Sequence, residues 1–345
     1  MKRFEPFARA KTMKPATQLK ATEERLEEIR RSASDVAQRT APLQPMGGPQ
    51  NQKQESYYGL PALKAPVWTW EVPLYFFLGG IAGMSACTGF IAQLFHGGSA
   101  LIRFCLWTGL VGAALCPLLL IADLGRPMRF LNMLRVFKLR SAMSMGAWIL
   151  VAFSNCVLLA VVCFELQLRG FANPLLVGLL WLAEAAAAVT GLLLAGYTGV
   201  LIGATAVPVW SENRTLLPAH FLTSGFGGAA GILELAGFLI PATQILGFAA
   251  SGIETLIEVM LQVRKRPVDT PLHHGGSGRA LLLAGLLEGP AALLLRAFLG
   301  SGSKGRCAAA GVFLIGSLMS RYAWIWAGRA SARDPGALFQ LQNKA

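Results

Sequence analysis

From Trp68 onward the sequence is dominated by eight long apolar runs, at about 71–95, 101–122, 143–165, 175–200, 216–239, 242–263, 279–299 and 306–327. A helix rises 1.5 Å per residue, so about 20 apolar residues cross the roughly 30 Å hydrocarbon core of a bilayer. No soluble fold of this size can bury runs of that length, because its surface must stay polar. The composition agrees, with 54% of residues hydrophobic and only 14% charged. The expected fold is all-α: a polytopic membrane protein with eight transmembrane helices in residues 57–330. Residues 1–56 read as a polar extension, mostly disordered, with a short helix open to Lys20–Arg39. No apolar core follows its first basic residues, so it does not read as a signal peptide. Residues 331–345 form a short polar tail. Only Ile240 and Pro241 part the fifth and sixth runs, so a tight reversal is expected there.

The net charge of +13 invites a nucleic-acid reading. Its distribution argues against one, because Lys and Arg gather between the apolar runs and no basic stripe interleaves with aromatics. Eight spans put both termini on one side of the membrane. The segments on that side carry 26 of the 31 Lys and Arg, and those on the other side carry 5. By the positive-inside rule the terminal side is cytoplasmic. Trp68, Trp70, Trp210 and Trp326 fall near the same boundary, where an aromatic belt would lie. Runs of small residues, including Gly79, Gly80 and Gly83, Gly191, Gly196 and Gly199, and Gly225 to Gly231, suit close helix packing in lipid.

The six cysteines form no CxxC pair, and all but Cys307 sit inside apolar runs. They read as small buried hydrophobes, not as cluster or zinc ligands. The four histidines, His96, His220, His273 and His274, supply no pair at matched depth for a haem. The chain is therefore expected to carry no redox metal, and any electron role would require a partner that does. Polar and aromatic groups do converge at the terminal-side ends of several spans: Trp70, Glu71 and Tyr75 on the first, Asp123 and Arg126 after the second, Tyr197 on the fourth and His220 on the fifth. They are candidates for a pocket, with Arg126 and Pro127 shaping the loop. Deeper lie Glu184, Glu234, Glu254 and Glu288, with Glu258 one turn from Glu254. Carboxyls at that depth fit a proton path, or a set of neutral structural groups.

Five stretches carry a resemblance: Tyr57–Pro61, Trp68–Gly83, Ala122–Phe130 (ADLGRPMRF), Arg140–Leu150 (RSAMSMGAWIL) and Ala195–Trp210. Together, over roughly residues 57–265, the chain resembles the NrfD family, the membrane subunits of polysulfide reductase-type complexes. The likeness implies a helical bundle without haem or iron–sulfur clusters of its own. It implies a ferredoxin-like iron–sulfur partner subunit and, through it, a molybdopterin or other catalytic subunit. The small-molecule partner implied is menaquinone or ubiquinone, held by polar residues at the start of the first span and a tyrosine on the fourth. Here those positions are Glu71–Tyr75 and Tyr197, with Val72 and Tyr75 standing where the family has Asn and His. The chain would then be a subunit without catalysis of its own, passing electrons between partner and quinone pool, with proton translocation as an open accompaniment. A secondary transporter or proton channel, and a structural anchor without quinone turnover, are the alternatives. No repeat of the DLGRP loop appears in the second half, as an inverted-repeat transporter would favour.

Overall fold

A computed structural model of the 345-residue chain describes residues 26, 27, 30, 31, 63–124, 134, 135, 137, 138, 141–171, 173–264 and 266–334. The YYGLP stretch, Arg126 and Pro127 of the DLGRP loop, most of residues 1–56 and residues 335–345 lie outside these. Of the N-terminal segment, residues 26, 27, 30 and 31 are helical and exposed. The described residues contain no β-strand.

Eight helices are long and apolar enough to cross a membrane: α1 (Glu71–Leu94), α2 (Ser99–Asp123), α3 (Ala142–Leu168), α4 (Pro174–Gly203), α5 (Leu216–Leu235), α6 (Pro241–Val263), α7 (Gly275–Leu299) and α8 (Ser303–Ala332). The chain is a multi-pass membrane protein. Local chemistry sets the helix ends. Ser141 caps α3 by accepting the Ser144 N–H, and Asn173 caps α4 by accepting the Leu176 N–H at 2.7 Å, with Pro174 at the first helical position. The expected reversal between α5 and α6 is built on Gly237, whose φ is +95°. Its N–H bonds the Glu234 carbonyl and the Phe238 N–H bonds the Leu233 carbonyl, which closes α5 in a left-handed cap before Pro241 opens α6.

The helices pack as two groups of four. In the first, α1 contacts α2 and α4, and α3 contacts α2 and α4. In the second, α5 contacts α6 and α8, and α7 contacts α6 and α8. The groups join where α5 lies on α1 and α4 and where α8 touches α1. Glycines make the crossings close. A Cβ on Gly83 would lie 2.3 Å from the Gly191 carbonyl oxygen, and one on Gly191 would lie 2.5 Å from that of Gly83, so α1 and α4 meet backbone to backbone. Such contact supplies dispersion where lipid offers no hydrophobic drive.

Two features lay outside the reach of the sequence pattern. Trp210, expected in an interfacial belt, is fully buried. It lies in a short helix (Pro208–Glu212), stacks on Trp68 at 5.4 Å and donates its indole N–H to the Trp324 carbonyl at 2.9 Å. It is a packing residue under α8, whereas Trp70 and Trp326 are exposed as a belt requires. The second is a π-bulge at Leu287–Ala291 inside α7, around Pro290. Proline has no N–H to give the helical ladder, so the turn widens there.

Candidate functional site

The start of α1, the end of α2, the start of α3 and the end of α4 all lie at one membrane boundary. There they enclose a cavity of about 60 Å³. Its polar lining is Tyr75 from α1, Asp123 from α2 and Tyr197 from α4, and its apolar lining includes Leu120, Met143 and Leu201. Tyr75 and Tyr197 are buried. Tyr197 can occupy its place only because residue 146 is glycine: a Cβ there would lie 2.1 Å from the tyrosine hydroxyl. The start of α3 thus shapes the position of a side chain on α4.

Around the rim, Thr69 donates its hydroxyl to Asp123 Oδ1 at 2.7 Å and its backbone N–H to the same oxygen at 3.2 Å. The Thr69 hydroxyl also contacts Glu71 Oε2. Trp70 is exposed, and its carbonyl accepts the Tyr322 hydroxyl of α8 at 2.9 Å. Of the pocket candidates read from the sequence, Tyr75, Asp123 and Tyr197 therefore share one cavity, and Glu71 and Trp70 stand at its entrance. Thr69 was not among those candidates. A threonine before a helix signals a helix start, not a pocket; only the return of α2 beside it gives it Asp123 as a partner.

His220 is elsewhere. It belongs to a buried cluster between α5, α6, α7 and α8. Its Nδ1 is 2.6 Å from Glu254 Oε2 and its Nε2 is 2.9 Å from the Ser320 hydroxyl. Donor atoms of His220, Glu254 and Glu288 all lie within 4.8 Å of one another. Glu288 sits in the π-bulge, fully buried, with the Ser224 hydroxyl beside its carboxyl. Arg321 lies beside the cluster, its guanidinium 3.7 Å from the centroid of the Phe221 ring and bonded to the Phe221 carbonyl. Counted by position as a terminal-side charge, Arg321 is in fact buried at membrane depth. Ser224 and Ser317 share a 2.6 Å hydrogen bond nearby. Glu258, one turn from Glu254, accepts from Gln262 at 2.7 Å and packs over Gly285 of α7.

The other two deep carboxyls stand apart. Glu184 is buried in α4 without a hydrogen-bond partner among the described residues. Glu234 sits between two buried arginines, with Arg296 at 2.8 Å and Arg306 at 2.9 Å. Arg306 also donates to the Leu239 and Ile240 carbonyls and to the Thr243 hydroxyl. That geometry holds a carboxylate fixed and ties down the α5–α6 turn. At the boundary opposite the tyrosine cavity, a hollow of about 560 Å³ is lined by Ser99, Arg103, Phe104, Trp107, Leu168 and Phe238. There Glu165 accepts from Arg103 Nε at 2.6 Å and from the Trp107 indole at 2.8 Å.

Comparison with known proteins adds an independent line. The family described as "Polysulphide reductase, NrfD" matches residues 60–264, which cover α1 to α6. The C subunit of the polysulfide reductase of Wolinella succinogenes is 31% identical over 205 residues, covering 54% of this protein and 61% of the relative. The match therefore spans about three fifths of that relative's length.

Proposed function

This chain belongs to the polysulphide reductase NrfD family, and from that premise we propose that it is the quinone-handling membrane subunit of a multi-subunit oxidoreductase. The observation that carries the reading is the convergence of Tyr75, Asp123 and Tyr197, from three helices, on one cavity at a membrane boundary. A quinone ring needs apolar walls and hydrogen-bond donors for its carbonyl oxygens. Leu120, Met143 and Leu201 supply the first, and the two tyrosine hydroxyls supply the second. A donor aimed at an oxygen that gains negative charge stabilises that charge, more strongly where water is excluded. Asp123 supplies a group able to exchange protons at the rim.

As it stands, the cavity has room for a few waters at most and is too small for a ring. Entry of a quinone requires the lining to part. Met143, half-exposed and unbranched, is the lining side chain best suited to yield. The electrons come from an iron–sulfur partner docked at the same boundary. The partner's chemistry, menaquinone or ubiquinone as the quinone, and the cytoplasmic face of a bacterial inner membrane complete the proposal.

A second element is favoured by the cluster between α5 and α8. Donor atoms of Glu254, His220 and Glu288 lie within 4.8 Å of one another, and Glu258 stands one helical turn from Glu254, toward the cavity's side of the membrane. We assign them to proton movement accompanying quinone turnover. Glu234 is left out, because two arginines hold it, and Glu184 is left out, because it stands alone.

The test is Tyr197→Phe in the assembled complex, assayed as electron transfer from a reduced viologen dye to quinone. Loss of one such donor is expected to lower kcat about 100-fold. Unchanged turnover would favour a structural anchor over a quinone site.

A further inference from the structure

Thr69 stands between two carboxyl groups at the mouth of the tyrosine cavity, and its hydroxyl contacts both. It donates to Asp123 Oδ1 at 2.7 Å and touches Glu71 Oε2. A hydroxyl has one proton and two lone pairs. It cannot donate to two carboxylates at once. While it donates to Asp123, its oxygen stays open to Glu71, so a proton taken up by Glu71 can be passed to Thr69 Oγ1.

We propose that Thr69 is a proton-relay residue that links Glu71, at the entrance, to Asp123, in the lining of the cavity. The inference rests on the quinone-site reading above. In the transfer, the Glu71 carboxyl proton passes to Thr69 Oγ1 as the Thr69 proton passes to Asp123 Oδ1. One O–H bond breaks and one forms at each step, the hydroxyl is regenerated, and one proton has moved from Glu71 to Asp123. Glu71 is recharged from water at the rim, where Thr69 and Trp70 are exposed. Electrons for quinone reduction come from the iron–sulfur partner, and the relay supplies protons only. The backbone N–H of Thr69, at 3.2 Å from the same Asp123 oxygen, helps hold the acceptor beside the hydroxyl.

Thr69→Val keeps the shape and deletes the hydroxyl, and Thr69→Ser restores it. In the assembled complex, with reduced viologen as donor, Thr69→Val is expected to lower kcat about tenfold or more. The KM for quinone should stay within about twofold, and the solvent deuterium isotope effect on kcat should rise as proton delivery becomes limiting. Thr69→Ser is expected to return both to near wild type. Should Thr69→Val fail to assemble, Glu71→Gln decides: it keeps a hydrogen-bonding partner for Thr69, has no carboxyl proton to pass, and is expected to show the same loss. Wild-type kcat in Thr69→Val or in Glu71→Gln would overturn the relay, as would a Thr69→Ser variant as slow as the valine. Titration with a quinone-analogue inhibitor separates the two failures. If the wild-type complex does not bind the analogue at the cavity, the quinone site and the relay both fall. If Thr69→Val binds it normally and turns over normally, only the relay falls.

Discussion

The two groups of four helices solve the same packing problem with opposite chemistry. The first, α1 to α4, encloses tyrosine hydroxyls and apolar side chains, and keeps its carboxyls Glu71, Asp123 and Glu165 at the membrane boundaries. Only Glu184 lies deep. The second, α5 to α8, buries His220, Glu234, Glu254, Glu258, Glu288, Arg296, Arg306 and Arg321. Burying charge in lipid is costly and is tolerated where the groups pair or do work. In the proposed reading the first group takes an uncharged, lipid-soluble ligand, and the second places and moves charge. The residues matched by the NrfD family end at the close of α6, yet Glu288, Ser320 and Arg321, which complete the second cluster, come from α7 and α8. Helices α1 to α6 alone would hold the whole tyrosine cavity and only part of the charged cluster.

The largest effect expected from disturbing this division is structural. Glu234→Ala leaves Arg296 and Arg306 buried without their anion, and about 3–5 kcal/mol of stability should be lost. Thermal unfolding of the detergent-solubilised protein reads this. A melt within about 1 kcal/mol of wild type would mean that the arginines find other partners, and the second group would not be organised around fixed charge.

Next comes the seam inside the first group. Gly191→Val drives a side chain into the backbone of α1 at Gly83, and overpacking of this kind costs about 1–3 kcal/mol. The same melt measures it, and an unchanged midpoint would show that α1 and α4 do not approach as closely as described.

Gly146→Ala is aimed at the cavity itself. Its methyl would occupy the space of the Tyr197 ring, so the tyrosine must move. Quinone-analogue affinity should fall about tenfold, equivalent to about 1.4 kcal/mol. Proton movement through the second group, measured in vesicles per quinone reduced, should be unaffected. An equal loss in both assays would erase the separation between the two regions.

The smallest effect is expected from Glu288→Gln. It preserves shape but cannot carry a proton. The proton yield per quinone should fall by about half or more, while dye-to-quinone turnover stays within about twofold. A wild-type yield would remove Glu288 from the proton path.

Much of this architecture was open to reading in the sequence, and the parts that were not share a cause. The spans are visible because apolar length is a one-dimensional property, and the observed helices depart from the apolar runs by only a few residues. Depth along a span is also one-dimensional, which is why Tyr75, Asp123 and Tyr197 could be placed at one boundary. Rotation about a helix axis is not. In a helix that is apolar all round, polarity hardly marks which face looks inward, so His220 could be given the right depth and the wrong neighbours. The same limit hid the pairing of Glu234 with Arg296 and Arg306, which lie 62 and 72 positions away. Trp210 looked interfacial by position, and only the fold shows α8 covering it.

Labelling with an azido-quinone tests the central claim most directly. After illumination of the native complex, the adducts would be mapped by peptide mass spectrometry. The account predicts labels at the start of α3, around Met143–Ala147, and at the end of α4, around Tyr197–Leu201, with Gly146→Ala reducing them. Labels confined to the Arg103–Trp107 hollow at the opposite boundary, or to α5–α8, would contradict it.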